Sequence, residues 1–287
     1  MPIKYDELMA LKNLGQKYAY GDREVMLYAC GIGMGADPMD ERELAFVNEA
    51  AATSRALKVV PTFASVAAWG ANPGEMNLNR VMVVDGERDI TFHRPLAAAA
   101  QITADSSVLD VFDKGKDKGA VIRHKTVLRN DRGEELATLV ASRFARGDGG
   151  FGGPSEGQPE PHKVPGRAPD RTIDISTRPD QALVYRLCGD RNPLHSDPEF
   201  ASAAGFSQPI LHGLCTYGMT CKAITDALLD GDAGAVAAYG ARFAGVAFPG
   251  ETLKVGIWKD DGRILASVVA PARDNAVVLS GVELVPA

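Results

Sequence analysis

Residues 147–169 read GDGGFGGPSEGQPEPHKVPGRAP, with seven Gly and five Pro in 23 positions. Gly carries excess backbone entropy and Pro has no N–H to donate, so neither helix nor strand tolerates that density. The stretch must be an irregular connection, and it cuts the chain near its middle. The segments on either side, 1–146 and 170–287, each have the length of one ordinary domain, about 100–200 residues. His162, inside the connection, is expected to be solvated.

The two halves echo each other. Pro61-Thr-Phe-Ala-Ser-Val-Ala-Ala-Trp69-Gly70 matches Pro209-Ile-Leu-His-Gly-Leu-Cys-Thr-Tyr217-Gly218 in length and in its closing aromatic-Gly pair. Downstream, Phe92…Gln101-Ile102-Thr103 and Phe243…Thr252-Leu253-Lys254 share one spacing. Upstream, Tyr28…Asp37-Pro38 is echoed by Tyr185…Asp197-Pro198. Three echoes in one order indicate a tandem duplication. Leu214, Tyr217, Cys221, Ile224 and Leu228 recur at helical spacing. Leu253, Val255 and Ile257 alternate as a strand does, and 264–269 and 277–285 supply two more strands. In the first half, 101–112, 119–129 and 134–145 read as strands. One apolar helix followed by consecutive hairpins, twice over, predicts an α+β fold with a mostly antiparallel sheet packed on helix.

Charge and cysteine usage exclude several functions. Lys+Arg is 31 and Asp+Glu is 37, a net charge of −6 that offers nucleic acid no global attraction. Cys30, Cys188, Cys215 and Cys221 form no C-x-x-C pair, so neither a zinc site nor a disulfide framework is expected. No run approaches the ~20 apolar residues of a membrane span. Met1-Pro2-Ile3-Lys4-Tyr5-Asp6 lacks a secretory pattern, and Leu284-Val285-Pro286-Ala287 is not a peroxisomal address. The cytoplasm is the expected location. Gly31-Ile-Gly33-Met-Gly35 mimics a dinucleotide fingerprint, but Asp37-Pro38 follows at once and no βαβ alternation surrounds it.

The chemistry is concentrated in Leu187-Cys-Gly-Asp190-Arg-Asn192-Pro-Leu-His195-Ser-Asp197-Pro198. Gly189 and Asn192-Pro193 force a loop, and Asp197-Pro198 starts a helix that Gly205 ends. Asp190 and His195 share that loop, where a turn can bring a carboxylate beside an imidazole. Such a pair can move protons near neutral pH. On spacing alone, the favoured reading is that Asp190 caps a turn and His195 is a satisfied structural residue.

The run Tyr185-Arg-Leu-Cys-Gly-Asp-Arg-Asn-Pro-Leu-His195 resembles the hydratase 2 motif of (R)-specific enoyl-CoA hydratases, the MaoC-like family. Gly205-Phe206…Pro209-Ile-Leu-His212-Gly213-Leu214 resembles the same family's next signature. The resemblance implies a double hot-dog, each half a long helix wrapped by an antiparallel sheet, and a homodimer without metal or resident cofactor. It implies hydration of trans-2-enoyl-CoA to the (3R)-3-hydroxyacyl-CoA in fatty-acid metabolism. Asp190 and His195 would hold the water, Asn192 would shape the turn, and the Gly213 N–H would face the thioester oxygen. The first half lacks the carboxylate–histidine pair and would accommodate the acyl chain. Lys114 (in Asp113-Lys114-Gly115), Gly86 and Phe243 resemble ligand-side positions of the family, and Glu49 resembles an auxiliary catalytic Glu. Asp85 stands where the family has His. Dehydration of another acyl thioester, and a non-catalytic acyl-CoA-binding protein, are the alternative functions.

Overall fold

The computed structural model describes residues 4–50, 56–79 and 82–287; Met1, Pro2 and Ile3 of the N-terminal run lie outside them. The first half contains α1 (Tyr5–Met9), β1 (Lys12–Tyr20), α2 (Asp22–Gly31), α3 (Glu41–Val47), α4 (Ala64–Ala67), β2 (Val83–Phe92), β3 (Ala100–Asp113), β4 (Ala120–Arg129) and β5 (Glu135–Ala145). The second contains β6 (Arg171–Ser176), α5 (Gln181–Tyr185), α6 (Pro198–Ala203), α7 (Gly213–Leu228), β7 (Val236–Phe243), β8 (Thr252–Asp260), β9 (Arg263–Ala270) and β10 (Ala276–Pro286).

The strands form one antiparallel sheet in the order β1-β3-β4-β5-β2-β7-β10-β9-β8-β6. From either edge inward the sequence of equivalents is the same: β1, β3, β4, β5, β2 on one side and β6, β8, β9, β10, β7 on the other. That palindrome is the tandem repeat made visible. The halves join where β2 pairs with β7, from Glu87↔Arg242 to Thr91↔Ala238. In β8, Leu253, Val255 and Ile257 are buried while Thr252 and Lys254 face solvent, the expected alternation.

α7 lies on the inner face of the sheet and buries Leu214, Tyr217, Cys221 and Ile224. The Tyr217 hydroxyl donates to the Tyr239 carbonyl and the Tyr239 hydroxyl to the Tyr217 carbonyl, both at 3.0 Å, which locks helix to sheet. The expected long helix of the first half is instead short: a 3-10 turn at Pro61–Phe63 continues into α4 and stops. Gly70 adopts φ +92 and Pro73 follows, so the helix cannot be carried on. The equivalent Gly218 sits inside α7, where an added Cβ would meet the Tyr28 hydroxyl at 2.7 Å and Ile32 at 2.8 Å. One aromatic-Gly pair thus ends a helix, and its copy admits the neighbouring half.

No helix or strand occurs between β5 and β6, yet the connection is anchored. The Asp113 carboxylate accepts from the backbone N–H groups of Gly115, Gly150 and Gly152. His162 is not simply solvated, since its Nε2 lies 2.9 Å from Glu283 on β10. Cys30, Cys188, Cys215 and Cys221 are free thiols. Among the described residues, no helix is long and apolar enough to cross a membrane.

Candidate active site

The site is assembled on the loop between α5 and α6. A 3-10 turn, Arg186–Cys188, follows α5, and Gly189 reverses the chain at φ +132. The ring of Trp69, from the first half, occupies the place a Gly189 Cβ would take. Asn192 caps a second 3-10 turn, Pro193–His195, its side-chain oxygen accepting from the Leu194 N–H at 3.1 Å. Asp190 Oδ1 accepts from the Asn192 N–H at 3.1 Å. Asp197 caps α6, accepting from Glu199 and Phe200.

These turns bring Asp190 Oδ2 to 3.9 Å from His195 Nε2. His195 Nδ1 lies 3.0 Å from the Ile210 carbonyl. A carbonyl only accepts, so Nδ1 carries the proton and Nε2 presents a lone pair to the carboxylate. Burial holds His195 below the ordinary imidazole range, opposed by the Ile210 carbonyl and the carboxylates of Asp190 and Asp85. The ring is therefore neutral near pH 7 and able to accept a proton. The 3.9 Å separation suits two acceptors bridged by one water.

Gly213 is the first residue of α7 and is exposed. The open N-terminus of this 16-residue helix favours negative charge. Phe243, at the end of β7, holds its ring 3.0 Å from where a Gly213 Cβ would stand. Gly86 sits in the β-bulge between Asp85 and Glu87, and Asp85 acts electrostatically on His195 from across the boundary between halves. Lys114 donates to the Ser155 carbonyl at 3.1 Å and lies over the Phe112 ring, so it holds the connecting segment. Glu49 is exposed, two residues beyond the end of α3. The structure thus gathers Asp190, His195, Asn192, Gly213 and Phe243, and places Lys114 and Glu49 on other tasks or surfaces.

Among the described residues, ligand atoms of Asp190, His195 and His212 lie within 4.8 Å of one another, as a metal site would need. Their two rings, however, are stacked at 25° with centroids 3.7 Å apart, so their in-plane lone pairs run side by side rather than converging. Beside the loop, a cavity of about 220 Å³ is lined by Tyr20, Phe63, Ala67, Trp69, Leu187 and Cys188. It lies beside the short first-half helix.

Residues 160–278 match the model of the MaoC like domain, and residues 18–147 match the MFE-2 hydratase 2 N-terminal domain. The enoyl-CoA hydratase ChsH3 of Mycobacterium tuberculosis is 50% identical, covering 100% of both chains. The chain belongs to the MaoC-like hydratase 2 family. Members so named are hydro-lyases, and this chain is one. The crystal structure of a MaoC-like dehydratase from Phytophthora capsici superposes with a TM-score of 0.87 at 31% identity, covering 98% of each chain. A Mycobacterium tuberculosis protein described as a double hot-dog superposes with a TM-score of 0.58 at 11% identity, covering 99% of this chain and 98% of that one. The last likeness concerns the fold, and the fold is a double hot-dog.

Sequence reasoning on this hydratase 2 chain missed three participants. Ile210 acts through its backbone carbonyl, which no residue type announces. Trp69 supports Gly189 from a half that carries no catalytic motif. Asp85 departs from the family's residue, which drew attention away from its charge.

Proposed function

We propose that the enzyme adds water across the double bond of a trans-2-enoyl-CoA to give the (3R)-3-hydroxyacyl-CoA, reversibly, in fatty-acid metabolism. The observation that carries this reading is the Asp190–His195 pair, 3.9 Å apart, with the histidine tautomer set by Ile210. The pair seats one water. Its oxygen bonds to C3, one of its protons passes to the pair, and a proton is delivered to C2. The net change is addition of H₂O, with no oxidation. Charge builds on the thioester oxygen during attack, and the Gly213 N–H at the start of α7 is the donor for it. Asn192, Gly86 and Phe243 are assigned to the CoA side of the substrate and the turn that faces it. The cavity beside α4 takes the acyl chain, and CoA enters as part of the substrate rather than as a cofactor.

Loss of enone absorbance over a series of trans-2-enoyl-CoAs, with chiral analysis of the product, tests the reading. The expected product is the 3R alcohol. Asp190→Asn and His195→Gln should each lower kcat by about 10²–10⁴ with the fold intact. The double variant should be little worse than the worse single, because the two act as a unit. Turnover near wild type in either single variant, or a 3S product, overturns the proposal.

A further inference from the structure

His212 precedes the helix that carries Gly213 and is 1% exposed, although it takes part in no step described above. Its Nε2 lies 3.1 Å from the Asp190 carbonyl, a bond in which only the histidine can donate. Its ring stacks on His195 with centroids 3.7 Å apart, and the Tyr185 ring stands 5.0 Å from it, tilted at 51°. One side chain therefore touches both members of the pair, the backbone of one and the ring of the other.

We propose that His212 is the positioning residue of the catalytic pair, its Nε2–H pinning the Asp190 backbone while its ring face aligns His195. The proposal rests on the reading of Asp190 and His195 as that pair. Two physical effects are combined. The hydrogen bond crosses from the start of α7 to the loop, so Asp190 is referenced to the same helix end as Gly213. The stacked ring closes one face of His195 to water and offers a neutral π-face to the imidazolium that forms when His195 takes a proton. Burial, and the neighbouring His195 and Arg186, push His212 down to about 3, so it stays neutral while its neighbour titrates. The charged groups facing the two rings are Asp190 on the loop, Asp85 on β2 and Arg186 on the 3-10 turn.

Two substitutions separate the effects in the full-length enzyme. His212→Phe keeps an aromatic face and removes the donor. It should lower kcat by about 10–100-fold, as misplacement of a catalytic group by about 1 Å does, and leave the acid limb of the kcat/KM profile in place. His212→Gln keeps a donor and removes the stacking. It should retain more of kcat than His212→Phe, and its acid limb should move up toward the ordinary imidazole value as water reaches His195. Melting curves monitor folding throughout. If both variants fold and keep kcat within about twofold with an unmoved acid limb, the proposal fails. It also fails if activity falls only in step with the folded fraction. Failure of the catalytic-pair reading itself looks different: Asp190→Asn and His195→Gln would then turn over normally.

Discussion

A methyl group at Gly213 would point at Phe243, whose ring carbons stand 3.0 and 3.2 Å from the added atom. Alanine favours a helix over glycine by about 1 kcal/mol, and this tight contact offsets the gain. Gly213→Ala should therefore melt within a few degrees of wild type, while kcat/KM falls as Phe243 is pushed toward the substrate path. Kinetics beside a melting curve checks this, and a folded, fully active variant removes Gly213 from the site. Gly189 behaves differently. Its φ of +132 is strained for any side chain, and the Trp69 ring already fills the place of a Cβ. Gly189→Ala should lose both stability and activity, with a red-shifted tryptophan emission as the ring is displaced. Adding Trp69→Ala should restore part of the stability by removing the clash, though not the backbone strain. An unchanged emission spectrum in the single variant contradicts the packing.

At the scale of elements, α4 and α7 descend from the same segment and differ in length. The leading Pro, the small apolar residues and the aromatic-Gly pair are common to both segments, and so the sequence predicts two similar helices, although Pro61 opens the turn before α4 while Pro209 lies four residues ahead of α7. What differs is the use of the glycine, which depends on what packs against it. Gly218 meets Tyr28 and Ile32, whereas no heavy atom lies within 4 Å of a Cβ built on Gly70. The short α4 leaves Ala67 lining the cavity beside the loop that carries Asp190 and His195. Ala67→Phe should penalise long enoyl chains against crotonyl-CoA, read as the ratio of kcat/KM values. Equal losses on both substrates detach the cavity from the acyl chain. The connecting segment is a second element whose order is tertiary. Asp113→Ala takes the carboxylate acceptor from three backbone N–H groups, two of them on exposed glycines, and the melting temperature should drop by several degrees as the connection loosens. A melting curve that does not move means those N–H groups find water.

The whole molecule responds to acid through its buried histidines. Burial, with Arg143 and Arg88 nearby, pushes His124 from 6.5 down to about 3, and His212 is pushed equally far. Between those values the unfolded chain binds protons that the folded chain refuses, so stability falls as pH drops from 6.5 toward 3. Each histidine contributes about 1.4 kcal/mol per pH unit in that window. Asp89 acts in the opposite sense. Burial and Glu87 raise it from 3.8 to about 6, so in that interval the folded chain keeps a proton the unfolded chain has lost. Two histidines outweigh one carboxyl, and urea unfolding should show falling stability from pH 7 to 5. In His124→Gln that fall should flatten. An unchanged slope means that His124 is not held neutral by the fold.

How much of this was legible beforehand follows from the range over which each signal acts. Helix periodicity, strand alternation, the Gly/Pro-rich break and the order of echoes are local properties of the chain, and they determined the α+β class, the duplication and the loop carrying Asp190 and His195. β1 was not legible because this edge strand is largely exposed and its residues carry little apolar alternation. The tautomer of His195 was decided by a backbone carbonyl fifteen residues away, and the shape of the loop by a tryptophan of the other half. The side chains of Lys114 and His162 were claimed by partners tens to more than a hundred residues distant in sequence. Residue types state which chemistry a side chain can do. Which partner each one meets depends on long-range packing, and that only the tertiary structure decides.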